Sequence, residues 1–185
     1  MILYHGTNAT IQSIDLNQSR VGKDFGLGFY LTTDEQVAIR QAARKLEQFG
    51  EGEAKVYRYS FDEAETQNLN VLKFEEYTLE WARFVLDNRK NRTRQQIHDY
   101  DVVIGPIADD VVGYQIRRVE EGIITEEQIL QAALCSLPIT TSIISRANSS
   151  ALPKLLRMPV LTSPIAWASF SAKKQVSVRL PSMGA

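Results

Sequence analysis

The sequence predicts an α+β domain, in which short strands and short helices follow one another along the chain. The segment KVYRYSF at 55–61 alternates apolar and polar residues, which is typical of a half-buried strand. The segment that begins at Thr33 repeats its apolar residues with a helical period, and Gly50 is suited to end that helix. With 185 residues, the chain is long enough for one domain with a substantial core.

The other elements are predicted by apolar runs and by the residues that end them. Residues 2–4 form a short apolar run that predicts a buried strand turning at Gly6. Gln36, three residues after Thr33, has the spacing of a capping box. Further strands are expected at 29–31, 69–74 and 101–107, further helices at 78–86, 109–121 and 125–134, and a basic loop at 87–96.

The overall composition excludes several classes of protein. The formal charge of -1 creates no global field for nucleic acid or an anionic membrane, so a nucleic-acid binder is the least expected class. A single cysteine, Cys135, forms no intramolecular disulfide and no metal site with several thiolates, and no metal is expected. The chain shows neither a signal peptide nor a membrane-length apolar run, so we expect a cytoplasmic protein without a membrane partner.

The composition changes abruptly after residue 135. The segment 136–185 contains none of the 22 acidic residues and five of the six prolines, whereas an ordinary domain keeps acidic residues throughout. It shows no strand or helix period before QVSVRL at 175–180. The sequence therefore predicts one domain at 1–135, followed by an atypical C-terminal segment at 136–185.

Two short strings contain the residues most suited to a site. LYHGT spans Leu3 to Thr7, and DFGLGFYLTTD spans Asp24 to Asp34. A lone histidine at a strand end is more often a structural hydrogen-bonding residue than a catalyst, and glycines around a leucine often do no more than form a turn. The combination of the two strings in this order is more specific.

Together the strings resemble the NAD-binding core of ADP-ribosyltransferases of the diphtheria-toxin and poly(ADP-ribose)-polymerase branch. That branch has His-Gly-Ser/Thr on its first strand and a later Gly-x-Gly-aromatic-Tyr strand. The match is closer still to the DUF3990 family, predicted to be ADP-ribosyltransferases, because VLDNR at 85–89 and YDVVIGPIADD at 100–110 follow. The resemblance covers about 1–135. It implies a split, mostly antiparallel sheet that clasps NAD, with short helices around it.

The resemblance also implies a function and a set of residues. It implies mono-ADP-ribosyl transfer from NAD to an unidentified macromolecule, by a bacterial toxin, an effector or a toxin–antitoxin component with an antitoxin partner. By this resemblance, His5 and Tyr30 would be catalytic. His5 and Thr7 would bind ribose hydroxyls, and the backbone of Gly6 would bind the carboxamide of nicotinamide. Tyr30 would line or stack on the nicotinamide ring, and Arg20 would bind the diphosphate. The implied NAD-binding residues are His5, Gly6, Thr7, Arg20, Gly26, Gly28, Phe29, Tyr30 and Thr32.

Two further positions are candidates for the acceptor side of the site. Asn88 and Arg89 fall in the DNR part of the third string. The alternative interpretation of the pair is equally good from the sequence: a helix C-cap and a surface cation.

The sequence departs from the family at two places. Gln41 stands where related transferases have a second aromatic residue. The third catalytic position, a glutamine in a string like NNQYxF, falls at 140–145, which here reads TTSIIS. We consider the hypothesis that the tail is read out of frame, because a permitted choice of codons read one nucleotide earlier gives NNQYHF. The nucleotide sequence tests it: the hypothesis fails if no frame near codon 138 encodes that string.

Three interpretations of the tail stay open at this point. The segment can be a normal proline-rich C-terminus, in which Gln175 is the remaining candidate for the missing amide. Without a third catalytic residue, the chain can be a catalytically impaired module that binds NAD or ADP-ribose. It can also be a defective remnant with no ligand, which would lack cooperative thermal unfolding.

Overall fold

The computed structural model describes residues 1–108, 110–128, 141–145 and 156–164. Within these ranges the chain is α+β, as predicted from the sequence, with a mostly antiparallel sheet and short helices. The strands are β1 (Ile2–Thr7), β2 (Phe29–Thr32), β3 (Lys55–Phe61), β4 (Val71–Lys73), β5 (Val102–Pro106), β6 (Thr141–Ser145) and β7 (Leu156–Pro164). The α-helices are α1 (Glu35–Phe49), α2 (Leu79–Lys90) and α3 (Asp110–Glu120).

The strands form one sheet in the order β4-β5-β6-β2-β1-β3-β7. Neighbouring strands are antiparallel except β4 and β5, which are parallel. Strand β1 pairs with β3 along its whole length, but with β2 only at Tyr4 opposite Thr32. The sheet is therefore barely joined between β1 and β2, and the two strands leave room for a cleft beyond that point.

Helix α1 packs directly against β1. The helix buries Val37, Ala38, Ala42 and Ala43 on one face. The approach is close because Gly6 has no side chain: a Cβ atom there would collide with the backbone oxygen of Ala38. Glycine at this position thus determines how near α1 lies to the centre of the sheet.

A second core holds the loop between β1 and β2 against α2 and α3. Its fully buried side chains include Phe25 from that loop, Trp81 and Val85 from α2, and Ile116 from α3. The indole Nε1 of Trp81 donates a hydrogen bond to the carbonyl oxygen of Pro106 at 2.9 Å. The loop that contains Phe25 is therefore anchored in the hydrophobic core at its middle.

Two helix boundaries differ from the sequence prediction. Helix α1 is capped by Asp34, not by Thr33, because the Asp34 carboxylate accepts a hydrogen bond from the Gln36 amide at 2.8 Å. Gly50 ends the helix in the left-handed conformation, as predicted. Helix α2 continues to Lys90, so the expected basic loop at 87–96 begins later and Arg89 lies in the last helical turn.

Strands β6 and β7 lie in the C-terminal segment 136–185. The sequence pattern of that segment predicted no strand before residue 175. Strand β6 lies between β2 and β5, and β7 pairs with β3. The sheet thus takes strands from both sides of the domain boundary predicted at residue 135, and that boundary stays a prediction. The strand expected at 175–180 and residues 129–134 of the expected helix lie outside the described residues. In the part of the chain that the structure describes, no helix is long and apolar enough to cross a bilayer.

Candidate functional site

A cleft opens where β1 and β2 diverge, and it consists of two adjoining cavities. The first cavity has a volume of about 370 Å³ and the second of about 590 Å³. Five side chains line both cavities and mark the junction between them: His5, Lys23, Tyr30, Gln41 and Lys45. The cleft therefore has two compartments that meet at these five side chains.

His5 lies at this junction in a fixed orientation. Its Nδ1 is 2.7 Å from the carbonyl oxygen of Tyr30, and its ring stacks on Phe29 at a centroid distance of 4.5 Å. Burial, then the charges of Lys45 and Lys23, lowers the pKa of His5 from 6.5 to about 3, so the ring is neutral. Because a carbonyl oxygen only accepts, the proton lies on Nδ1 and Nε2 is left as an acceptor for a ligand hydroxyl.

The lowered pKa of His5 predicts a loss of stability in acid. Above pH 6.5 the ring is neutral in both the folded and the unfolded chain, and it adds no pH dependence. Between pH 6.5 and about 3, the unfolded chain binds the proton first, so the free energy of unfolding falls. We expect wild type to lose a few kcal/mol more than His5→Gln across this range, at roughly 1.4 kcal/mol per pKa unit. Urea unfolding at stepped pH measures this difference, and parallel curves for the two proteins would contradict it.

Tyr30 uses its hydroxyl to hold the loop at residues 22–28, which we call the glycine loop. The hydroxyl donates to the carbonyl oxygen of Gly26 at 2.7 Å and accepts from the Phe25 amide at 3.2 Å. Gly26 has a φ of 79°, which other residues rarely adopt, and it lines neither cavity. The ammonium of Lys23 lies 4.3 Å from the centre of the Tyr30 ring. The Tyr30 ring thus lines the cleft, and the Lys23 ammonium lies over its face.

Asp24 and Arg89 join the glycine loop to the end of α2. The Asp24 carboxylate accepts from Nε of Arg89 at 2.7 Å and from the Ala108 amide at 3.2 Å. The Arg89 and Asp24 side chains are only 20% and 13% exposed. This link brings three of the motif strings together beside the first cavity, which Arg89 also lines.

Asn88, the other candidate for the acceptor side, does not reach the cleft. It is 2% exposed, and its amide donates to the carbonyl oxygen of Phe84 at 2.8 Å. It lines neither cavity, so the structure brings only Arg89 of this pair into the site.

The remaining residues predicted for NAD divide between the two cavities. Gly6 and Thr32 line the first cavity. The carbonyl oxygen of Gly6 accepts a hydrogen bond from Nζ of Lys45 at 2.7 Å. The hydroxyls of Thr7 and Thr32 accept from nearby backbone amides, those of Ala9 and Asp34. The second cavity is lined by Thr7, Arg20, Gly28 and Phe29.

Sequence reasoning missed the two lysines at the junction, Lys23 and Lys45, and it named Gln41 only as the residue that replaces an aromatic one. Burial, followed by the charges of Lys23 and Arg20, lowers the pKa of Lys45 from 10.5 to about 8. Burial and the charge of Arg20 also lower the pKa of Lys23. One signal for Gln41 and Lys45 was present: they are spaced four residues apart, which places them on one helix face.

The described residues form an α+β domain whose sheet opens into a basic cleft around one neutral histidine. A family model for proteins of unknown function, DUF3990, matches residues 1–153, and the chain belongs to this family. The matched region includes β6 and so extends past residue 135. Searches of the curated proteins and of the solved structures found no match to the chain.

Proposed function

We propose that this chain is an NAD-dependent mono-ADP-ribosyltransferase. The observation that supports the proposal is the placement of His5 and Tyr30 together at the junction of two cavities, with Nε2 of a neutral His5 left as an acceptor. NAD consists of two nucleoside halves joined by a diphosphate. Cavities of about 370 and 590 Å³ lie within the range of small-ligand sites, and their adjoining arrangement suits such a molecule.

The nicotinamide half of NAD is assigned to the first cavity. Gly6 and Tyr30, which the resemblance links to nicotinamide, both line it. The Gly6 carbonyl oxygen already accepts from Lys45, but a carbonyl oxygen has two lone pairs and can also accept from a carboxamide. The adenosine half is assigned to the second cavity, beside Thr7 and Arg20.

His5 acts in the proposed transfer by holding the ribose next to the bond that breaks. When nicotinamide departs, positive charge develops on the ribose ring. A neutral imidazole that accepts a hydrogen bond from a ribose hydroxyl places no like charge beside that ring, whereas a protonated one would oppose the reaction. The pKa of about 3 keeps His5 in the neutral form at physiological pH.

The macromolecular acceptor is assigned to the edge of the first cavity near Arg89, the one acceptor-side candidate that lines the cleft. A transferase of this type is suited to act as a bacterial toxin, an effector or the toxin of a toxin–antitoxin pair. We propose that it acts in the cytoplasm.

Nicotinamide release from NAD tests the proposal. We expect purified wild type to release nicotinamide, and His5→Ala to lose at least roughly a hundredfold of that rate, because an acceptor aimed at the reacting sugar is removed. His98→Gln serves as the matched control, since it removes the other histidine, which lines neither cavity. No release by a folded wild-type protein, or equal release by wild type and His5→Ala, would overturn the proposal.

One observation favours a second candidate, an NAD- or ADP-ribose-binding module without turnover. Strand β6 reads TSIIS and pairs Ser142 with Thr32, so the strand beside the site brings no carboxylate or amide. The resemblance places the third catalytic glutamine at this strand. Calorimetric binding of NAD without nicotinamide release would identify this second function.

A further inference from the structure

Three cations from separate parts of the chain line the cleft, two of them at the junction of the two cavities and one in the second cavity. Lys23 comes from the glycine loop, Lys45 from α1 and Arg20 from the segment before the loop. Lys23 and Lys45 line both cavities, and Arg20 lines the second. Each of these charges lowers a neighbouring pKa: Arg20 acts on both lysines, Lys23 acts on Lys45, and Lys45 acts on His5. The charge of Asp24 opposes this effect at Lys23. The fold therefore keeps like charges close together in a partly buried place.

The carboxylates that line the cleft are already engaged. Asp24 accepts from Arg89 and from the Ala108 amide. Asp15 accepts from the Asn17 amide and from the amide group of Gln18, as the cap of a short 3-10 helix. No ion pair between a carboxylate and Arg20, Lys23 or Lys45 occurs among the residues that the structure describes.

We propose that Lys23 and Lys45, together with Arg20, bind the diphosphate group of a dinucleotide at the junction of the two cavities. Phosphate oxygens are strong acceptors for ammonium and guanidinium donors, and a multiply charged anion removes the repulsion among the three cations. The assignment rests on the proposed function only in taking the ligand to be a dinucleotide. It adds Lys23 and Lys45, which the sequence did not single out.

The positions of the two lysines give the diphosphate a second effect. Lys23 belongs to the glycine loop and Lys45 to α1, so one anion that contacts both ties the loop to the helix. Tyr30 and Asp24 already hold the loop from its other side. The bound diphosphate is expected to hold the loop against the helix, because it neutralises two lysine charges that otherwise repel each other.

Calorimetry with ADP-ribose, inorganic pyrophosphate and adenosine tests the assignment. We expect ADP-ribose to bind more tightly than adenosine, and pyrophosphate to compete with it. Lys23→Met and Lys45→Met are each expected to weaken ADP-ribose binding by roughly ten- to a hundredfold. Lys73→Met is the matched control, because Lys73 is an exposed lysine on β4 that pairs with Glu75 and lines neither cavity.

Each outcome bears on the assignment separately from the proposed function. Unchanged ADP-ribose binding in both folded lysine variants, or failure of wild type to bind ADP-ribose and pyrophosphate, would overturn the assignment. If ADP-ribose binding depends on the lysines but the protein releases no nicotinamide, the diphosphate assignment is supported and the proposed transferase function is contradicted. Thermal unfolding of each variant checks that the fold is intact, and Lys45→Arg, which keeps the charge, is expected to restore most of the affinity.

Discussion

Replacing Gly6 with alanine is expected to destabilise the protein by about 3 kcal/mol or more, the upper part of the range for overpacked cores. The added methyl group would collide with the backbone oxygen of Ala38 and approach the backbone of Ala42. A flexible side chain could turn away, but the backbone of α1 can yield only if the helix moves off the sheet. Urea unfolding measures the loss, and the cleft beside Gly6 is expected to open with it.

Gly113→Ala provides the matched control for this substitution. Gly113 lies within α3, and among the described residues a Cβ atom there would meet only the Arg89 guanidinium, at an ordinary distance of 3.8 Å. Because alanine is a better helix former than glycine, this variant is expected to gain about 0.5–1 kcal/mol. The same glycine-to-alanine change should therefore lower the free energy of unfolding at Gly6 and raise it at Gly113. Unfolding of Gly6→Ala at the wild-type urea concentration would contradict the close packing of α1 on β1.

Asp24→Ala is expected to cost about 2–3 kcal/mol of unfolding free energy. The substitution leaves the Arg89 guanidinium, which is 20% exposed, without its carboxylate, and the Ala108 amide without its acceptor. Breaking a buried pair from one side is more damaging than losing the pair, because the remaining charge stays in a poorly solvated place. The exposure of both side chains places the expected loss below the value for a fully buried pair. Thermal or urea unfolding measures it.

Glu126→Ala is the matched control for Asp24→Ala. It also removes a carboxylate that contacts an arginine, Arg83, but this pair is more exposed to solvent. The Arg83–Glu126 contact is 2.8 Å long, with the two side chains 58% and 35% exposed. Exposed pairs contribute little, so this variant should unfold close to the wild-type midpoint. The double variant Asp24→Ala/Arg89→Met should recover part of the loss seen in Asp24→Ala. Equal losses for Asp24→Ala and Glu126→Ala would show that Asp24 does not hold the loop.

The parts of the fold that sequence patterns predicted are those that depend on local periodicity. Strand β3 alternates from Tyr57 to Phe61, and α1 combines a helical period with glycine at its end. Strand β6 could not be predicted in this way, because TSIIS is short and does not alternate. Its place in the sheet depends on hydrogen bonds with two distant strands, β2 and β5, and such pairing leaves no periodic signal.

The site was predictable to the extent that its residues lie in the motif strings. His5, Tyr30 and Arg89 were selected from those strings, and all three line the first cavity. Lys45 lies on a helix whose sequence shows only its amphipathic period, and its part in the cleft follows from the packing of α1 over Gly6. Asn88 shares a string with Arg89, but the turn of α2 directs it into the core, which spacing in the sequence cannot reveal.

The central position of β6 also determines the order in which the sheet can form during synthesis. Strand β2 contacts β1 at a single residue pair, but it pairs with β6 at every residue from Phe29 to Thr32. Strand β5 likewise has β6 as its antiparallel neighbour. A nascent chain that ends before residue 141 thus carries two unpaired strand edges in the middle of its future sheet. The part of the cleft that β2 lines can assemble only after a late segment leaves the ribosome, and until then these edges are open to pairing with other chains.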